Sequence, residues 1–416
     1  MKILLLSQYF PPETGAGATR SEALFKYLTE FGWEVEVIAE IPNYPTGKIQ
    51  KGYSRKFVQS EVYGSSRINR VWVWTNPRKN NWQKLIIFVS FLSSSLLFAM
   101  QHNRRYDVIY ATSPPIFTGI SGCLIAKLYR TRFVLEVRDL WPDAALSSNG
   151  RPKKSFFHRL AKTVERWLYR NANLVVPVTT PAQRIIEHEN PAVSTQVIAN
   201  GIDTSLFKKI SHPEHLMDEP YDKTKFRVGY LGTFGVIHDL VTLIRAAKLC
   251  EDDPGIEFIL VGDGSARGAL DKALKEIKPN NVTILGLKQH RQVPSYISSF
   301  DLAVNPVHDK KVFESIITVK FYEYLACQVP VLSMARGLMR EEGNASGAAV
   351  TIDPENPELL AATIKKLKND PDVLEEMRQR SKDYINENHD RRYLAKLLSE
   401  KLIQLSINDS ESTPSN

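Results

Sequence analysis

Short runs of apolar, mostly β-branched residues alternate along the chain with amphipathic helical patterns. Runs at residues 3–6 and 35–39 flank a helical pattern from about Thr19 to Phe31, which predicts an opening of strand, helix and strand. Further strands are predicted at 108–111, 133–137 and 174–178, with helical sequence between them. This rhythm is typical of a parallel sheet that is covered by helices on both faces.

The alternation stops in a polar stretch from Asn200 to Lys225 and then starts again. The second series of predicted strands comprises residues 227–231, 258–261, 282–285, 302–305 and 329–333. Two such series, in a chain of 416 residues, predict an α/β protein with two Rossmann-like domains of similar size. Because parallel sheets bind ligands beyond the carboxyl ends of their strands, we expect the active site in a cleft between the domains.

The same patterns predict domain boundaries. We expect an N-terminal Rossmann-like acceptor domain at 1–195 and a C-terminal donor domain at 200–375. Mixed apolar and charged helical sequence at 376–406 predicts C-terminal helices that can cross back to the first domain. The polar residues 407–416 predict a disordered tail.

Charge is distributed unevenly. Residues 1–180 contain 25 Lys and Arg against 12 Asp and Glu, a net charge of +13, whereas the remainder carries −5. This asymmetry favours a phosphate-bearing ligand or a membrane surface as partner of the first half. Nucleic acid is the rival interpretation, but no zinc finger, helix-turn-helix pattern or RNA-binding aromatic motif supports it.

The three cysteines lack metal-ligand spacing, and the N-terminus lacks the small-residue cleavage site of a signal peptide. We therefore expect neither disulfides nor a zinc site, and a cytoplasmic location. No DxD motif follows a predicted strand, so we also expect no metal cofactor.

A glycine-bearing loop follows the first strand and leads into a helix. Gly15 and Gly17, with Arg20 just beyond, suit the approach of an anion to the free N–H groups of a helix N-terminus. The spacing is neither that of a dinucleotide fingerprint nor that of a Walker loop. Glycines also occur in such turns without any ligand, so the spacing alone leaves both interpretations open.

Charged residues end another apolar strand. Arg138 and Asp139 lie where active-site groups of parallel sheets gather, and we expect both to be catalytic. Asp139 could orient a sugar hydroxyl or stabilise positive charge at an anomeric carbon. A solvated turn is the alternative interpretation.

The second half repeats the strand and glycine pattern twice. Gly232 and Thr233 end one predicted strand, and Gly262, Asp263 and Gly264 end the next. Glycines at these positions allow a phosphate or a ribose to approach the backbone. Each turn alone is weak evidence, since such turns are common in this class of sheet, but the pair favours a nucleotide site.

Lys320 and Glu323 lie three residues apart and therefore on one face of a predicted helix. A lysine suits a diphosphate as a compact charge, and a glutamate can accept hydrogen bonds from both hydroxyls of a ribose. A surface ion pair is the alternative that the spacing alone does not exclude.

The order and spacing of these segments resemble retaining glycosyltransferase family four, of the GT-B fold, in particular bacterial O-antigen and capsule enzymes similar to N-acetyl-L-fucosaminyltransferase. The resemblance spans nearly the whole chain and rests on PPETGAGATR at 11–20, RDLWP at 138–142, NGID at 200–203, GYLGTFG at 229–235, LVGDG at 260–264 and VKFYEYLACQVPV at 319–331.

The resemblance implies roles for individual residues. Glu323 is similar to the second glutamate of the family's E-x7-E motif, which holds the donor ribose, and Lys320 to its diphosphate-binding lysine. Ser315 stands where the motif has its first glutamate, so the adjacent Glu314 is our third catalytic candidate. The loop after Gly232 lacks the family's basic residues and offers His238 and Asp239 instead, which predicts a larger share of the phosphate load for Lys320.

Residues 82–100 form an apolar, aromatic-bearing stretch with basic residues on both sides. We expect interfacial attachment to the inner face of the cytoplasmic membrane, with a buried helix as the alternative. A lipid-linked acceptor would explain both this stretch and the basic first half.

The expected activity is metal-independent transfer of an N-acetylated sugar from a UDP-sugar donor to a lipid-linked saccharide acceptor in surface polysaccharide assembly. A UDP-sugar 2-epimerase of the same fold would convert the donor without an acceptor. A non-catalytic nucleotide-sugar-binding protein would bind UDP without turnover.

Overall fold

The computed structural model describes residues 1–13, 15–44, 46–76, 80–102, 104–142, 156–213 and 222–407. The chain divides into two compact units. Unit 1 comprises Met1–Asn200 and Arg391–Asn416, and unit 2 comprises Gly201–Asp390. Most of the predicted tail, residues 408–416, lies outside the described residues.

Unit 1 contains a seven-stranded sheet in the order β3-β4-β2-β1-β5-β6-β7. All neighbouring strands are parallel except β3 and β4, which form an antiparallel pair. The strands are β1 (Lys2–Leu6), β2 (Glu34–Glu40), β3 (Val58–Tyr63), β4 (Ser66–Val71), β5 (Val108–Ser113), β6 (Arg132–Val137) and β7 (Leu174–Pro177).

Apolar residues on both faces of this sheet are buried. Ile3 and Leu5 of β1 belong to one core, and Leu4 and Leu6 belong to the core on the opposite face. This alternation is why the strands appear in the sequence as continuous apolar runs. The helices of unit 1 are α1 (Ala16–Glu30), α2 (Asn81–Gln101), α3 (Ile116–Tyr129), α4 (Phe156–Asn171), α5 (Thr180–Glu189) and, from the end of the chain, α13 (Arg391–Ile407).

Unit 2 contains a fully parallel six-stranded sheet in the order β10-β9-β8-β11-β12-β13. Its strands are β8 (Phe226–Leu231), β9 (Ile256–Val261), β10 (Val282–Gly286), β11 (Leu302–Pro306), β12 (Val331–Met334) and β13 (Ala349–Ile352). Its helices are α6 (Leu240–Leu249), α7 (Arg267–Ile277), α8 (Val293–Ser298), α9 (Val319–Ala326), α10 (Gly337–Ser346), α11 (Pro357–Lys368) and α12 (Pro371–Asn388). The predicted α/β fold with two parallel sheets is confirmed.

The C-terminal helices do not form one separate block, which corrects the expected boundary at 375 and 376. Helix α12 stays in unit 2, where Leu374, Met377 and Ile385 are buried in its cores. Helix α13 packs against α1 in unit 1 and buries Leu398 and Leu402 there. The division follows from which core each helix's apolar residues enter.

Candidate nucleotide site in unit 2 and charged loop in unit 1

The Lys320 side chain lies at the carboxyl end of β8, in the first turn of α9. Its Nζ is 2.9 Å from Nε2 of His238 and 5.6 Å from the centre of the Tyr230 ring. Tyr324, one turn further along α9, donates to the Leu231 carbonyl and accepts from its N–H, both at 3.0 Å. This pair of bonds fixes α9 against the end of β8 and so sets the position of Lys320.

Gly232 gives the lysine its space. A Cβ atom at Gly232 would lie 1.8 Å from Lys320 Cε, and the backbone there has φ +143°, a value that L side chains rarely adopt. Gly262 and Gly264 also have positive φ, and a Cβ at either would collide with the backbone of the Gly232 to Phe234 turn. The predicted glycine turns therefore pack on one another, with their backbones close to the lysine.

The protonation state of the His238 ring follows from its contact with Lys320. A lysine ammonium has only donors, so Nε2 of His238 must accept and the ring must be neutral. Burial and the neighbouring ammonium lower the pKa of His238 to about 3, against a smaller opposing effect of the Pro306 carbonyl. Burial lowers the pKa of Lys320 to about 8, although Glu323 raises it. The site holds a partly desolvated cation in contact with a neutral acceptor.

The other predicted residues of unit 2 differ in how far their side chains are exposed. Glu323 is half-buried one turn after Lys320, whereas Thr233 and Asp263 are exposed in the two turns. An Asp263 carboxylate oxygen accepts from the Gly264 N–H at 2.8 Å, which stabilises its turn. The structure thus brings Lys320, Glu323 and the glycine turns together at the carboxyl end of the sheet.

Glu314 has an exposed side chain, and its backbone carbonyl accepts from the Leu338 N–H at 2.7 Å. The first turn of α10 therefore packs on its backbone, where Gly337 leaves no room for a Cβ atom. This contact places Glu314 beside the start of α10. Its catalytic role stays a prediction.

Asp239, His308 and Glu355 offer ligand atoms that lie within 4.8 Å of one another, which is a spacing that a cation could bridge. The same side chains already make protein contacts. Asp239 accepts from the Thr242 N–H at 3.0 Å as the cap of α6, and His308 is 3.1 Å from Glu355. These contacts account for the cluster, and the metal-independent mechanism stays a prediction.

In unit 1, Arg20 lies beneath the glycine loop and not on its surface. Its Nε donates to Glu136 at 2.8 Å, and its other nitrogens donate to the carbonyls of Ile198 at 2.9 Å and Ala199 at 2.6 Å. Tyr110 donates to the same Glu136 oxygen at 2.7 Å. The guanidinium that we expected on a donor phosphate is therefore engaged within the protein, and its contact with a donor stays a prediction.

Gly17 and Arg138 are brought together, although 121 positions separate them in the sequence. A Cβ at Gly17 would lie 1.9 Å from Nη1 of Arg138, whose Nη2 donates to the Pro114 carbonyl. Burial lowers the pKa of Arg138, opposed by Glu136 and aided by Arg20. Nε of Arg138 is 4.0 Å from Oε1 of Glu136, so that both guanidinium groups lie close to the Glu136 carboxylate.

The other predicted residues of unit 1 lie at the same edge of its sheet. Gly15 is the N-cap of α1 with φ +129°, and since it has no side chain it leaves the first N–H groups of the helix to other acceptors. Asp139 is exposed at the end of β6. Both remain candidates for contact with an anion or a sugar.

Sequence reasoning underestimated His238 and missed Glu136. His238 is 6% exposed, and in the sequence it is visible only as a departure from the family pattern. Its contact with Lys320 spans 82 positions, so no local pattern could reveal it. Glu136 stands inside an apolar strand, and a buried carboxylate in such a run was the available signal for a buried basic partner.

Helix α2 places an apolar stripe on the surface of unit 1. By length and composition, the stretch Trp82–Gln101 could cross a membrane, and 33% of its most apolar window is buried in the protein. Its opposite face exposes large side chains at helical spacing, among them Trp82 at 73% and Met100 at 68%. The others on this face are Leu85, Ile86, Val89 and Leu97.

Comparisons with known proteins agree with this geometry. One family model, a glycosyl transferase 4-like domain, matches residues 15–201, and another, glycosyl transferases group 1, matches residues 225–370. A protein of Escherichia coli (strain K12), WcaI, whose name assigns it to colanic acid biosynthesis as a glycosyl transferase, is 26% identical over 385 residues. That alignment covers 88% of this chain and 92% of the relative.

Two solved structures show the fold. Sucrose-phosphate synthase from Thermosynechococcus elongatus superposes with a TM-score of 0.75 at 18% identity, covering 97% of this chain and 98% of that one. Anabaena HepE, in complex with UDP and glucose, superposes with a TM-score of 0.65 at 17% identity, covering 97% and 100%. The chain has the GT-B fold.

Proposed function

We propose that this chain, which matches the glycosyl transferases group 1 model over residues 225–370, transfers a sugar from a UDP-sugar to a lipid-linked saccharide in bacterial surface polysaccharide assembly. The observation that carries the proposal is the desolvated Lys320 ammonium beside the backbone of Gly232. A nucleotide diphosphate fits both features, because it needs a compact cation and close approach to the backbone.

The donor would lie at the carboxyl end of the unit 2 sheet. Lys320 would contact the diphosphate, Gly232, Gly262 and Gly264 would admit it to the backbone, and Glu323 would accept hydrogen bonds from the ribose. HepE, which has the same fold, was solved with UDP and glucose, and this supports the choice of a UDP donor.

The transfer would retain the configuration of the anomeric carbon and need no metal ion. Negative charge builds on the departing diphosphate as its bond to the anomeric carbon breaks. A preorganised cation therefore has most of its effect in the transition state. Asp139, Arg138 and Glu314 are the proposed catalytic residues. An exposed carboxylate such as Asp139 can orient a sugar hydroxyl or offset positive charge at the anomeric carbon.

The acceptor would be presented at the inner face of the cytoplasmic membrane. The exposed stripe of α2 can insert into the headgroup region, and Lys84 on the same helix can contact anionic lipid. Arg104, one of the basic residues that follow the apolar stretch, is bound to the buried Glu36 at 2.9 Å, so that its charge is partly neutralised. The net charge of the first half still favours an anionic surface.

Product analysis tests the proposal. The purified protein is incubated with a panel of UDP-sugars, N-acetylated and not, together with a polyprenyl-diphosphate saccharide, and products are followed by mass spectrometry and anomeric proton NMR. We expect a retained linkage, acceptor-dependent turnover and loss of turnover in Lys320→Ala. Donor conversion without an acceptor would identify an epimerase, and UDP binding without any product from a folded protein would identify a binding protein.

A further inference from the structure

The contact between Lys320 and His238 has a consequence beyond the presence of a cation. One N–H of the Lys320 ammonium is donated to Nε2 of His238 at 2.9 Å. Among the residues that the structure describes, His238 is the side chain to which the Lys320 ammonium is hydrogen-bonded. The other two N–H groups of the ammonium can therefore point towards a ligand. The histidine thereby determines in which direction the remaining donors point.

His238 is itself held firmly. Its backbone N–H donates to the Gly235 carbonyl at 3.0 Å, and its backbone also forms a β-bridge with Val307. On its other side, the Asp239 N–H donates to the Pro306 carbonyl at 3.1 Å. The ring lies 5.6 Å from the Tyr230 ring, centre to centre. A buried acceptor that is fixed by backbone contacts on both sides can hold a flexible side chain in one conformation.

Lysine needs such help because its four-carbon chain loses much rotamer freedom when a ligand immobilises it. Gly232 leaves space for the aliphatic part of the Lys320 side chain. The Tyr230 ring faces the Lys320 ammonium, and His238 accepts a hydrogen bond from it. A lysine that is already ordered loses less entropy when it binds a phosphate.

We infer that His238 is a positioning residue, which orders the Lys320 ammonium for the diphosphate of the donor and so allows one lysine to serve where a second cation is lacking. The inference rests on the proposed function. It concerns donor affinity, since a neutral histidine that is bonded to the lysine brings no charge of its own to the phosphate.

The experiment is a double-mutant cycle on UDP affinity, measured by calorimetry, with KM and kcat for the donor as a second reading. His238→Leu should weaken UDP binding about three- to tenfold, which is the range expected for ordering one long side chain, and should raise KM more than it lowers kcat. His238→Gln, whose amide oxygen can accept in place of Nε2, should restore most of the affinity. In a Lys320→Ala background, His238→Leu should have no further effect.

His188→Leu is the matched control, because His188 is exposed on α5 in the other unit. Circular dichroism checks folding, and His238→Met replaces the leucine variant if that variant is unfolded. The inference is overturned if the Gln and Leu variants bind UDP equally, or if the loss persists in the Lys320→Ala background. Wild-type protein that neither binds UDP nor transfers sugar would instead overturn the proposed function, and this assignment with it.

Discussion

Replacing Gly232 with alanine would change the backbone and the cation site by two separate effects. The new methyl group would force an L side chain into φ +143°, and it would occupy a point 1.8 Å from Lys320 Cε. The first effect strains the turn after β8. The second displaces the end of the Lys320 side chain, and we expect this displacement to break its contact with His238.

The two effects have different magnitudes and different readouts. A residue in a sparsely populated backbone region costs about 1–3 kcal/mol of folding free energy. A displaced lysine would lose its hydrogen bond to the diphosphate. Loss of a hydrogen bond to a charged group costs about 1.5–3 kcal/mol, which corresponds to a rise in the Kd for UDP of about 10- to 150-fold. Strain should therefore appear in the free energy of unfolding, and displacement of the lysine in UDP affinity.

Urea denaturation and calorimetric titration with UDP separate the two. The double variant of Gly232→Ala with Lys320→Ala should retain the loss of stability. Any loss of UDP affinity beyond that of Lys320→Ala alone would measure the approach of the diphosphate to the backbone at Gly232, which is separate from the displacement of the lysine. Gly268→Ala is the control, since that glycine lies in α7 with open space around its Cβ position. It should stabilise the protein by about 0.5–1 kcal/mol and leave UDP affinity unchanged.

One result would refute the reasoning. If Gly232→Ala is destabilised yet binds UDP with wild-type affinity, the Lys320 ammonium does not reach the diphosphate from its place beside Gly232. The donor would then have to be held by other groups.

Three further predictions concern pH, metal and membrane. Because the pKa of Lys320 is about 8 and a bound phosphate would raise it, the Kd for UDP should rise up to tenfold per pH unit above pH 8, and a flat titration to pH 9.5 would contradict this. Dialysis against EDTA should leave transfer unchanged, whereas a loss that Mg²⁺ or Mn²⁺ restores would assign a metal. Trp82→Ser with Ile86→Ser should reduce co-sedimentation with anionic vesicles severalfold, while Leu287→Ser, an isolated leucine in unit 2 that is 76% exposed, should not.

The sequence predicted the central parallel strands because they are buried on both faces and therefore form apolar runs. It missed β13, a parallel strand at the edge of the second sheet that is mostly half-buried. It also missed β3 and β4, since the antiparallel pair at the edge of the first sheet is rich in polar residues such as Gln59, Asn69 and Arg70. Buried polar contacts such as that of Asn69 with Glu36 at 2.7 Å replace apolar packing there. Periodicity detects apolar faces and not hydrogen-bonded ones.

The site was predictable to the extent that it is local. Glycine turns and the Lys320 to Glu323 spacing are visible within a few residues of one another. The partner of Arg20 was not visible, because Glu136 is 116 positions away and only the fold brings the two together. The same basic residue in a loop can face solvent or a buried carboxylate, and local sequence does not distinguish these environments.

The return of α13 to unit 1 makes the amino-terminal half depend on a segment that follows the whole of unit 2 in the sequence. Trp33 Nε1 donates to Ser399 at 2.8 Å, and Leu398 and Leu402 fill the core beneath α1. Loss of the chain after Asp390 would therefore uncover apolar surface in unit 1 and leave the residues of unit 2, with α9 and its Lys320, in place. During synthesis, unit 2 can complete its fold first, although its sequence comes second.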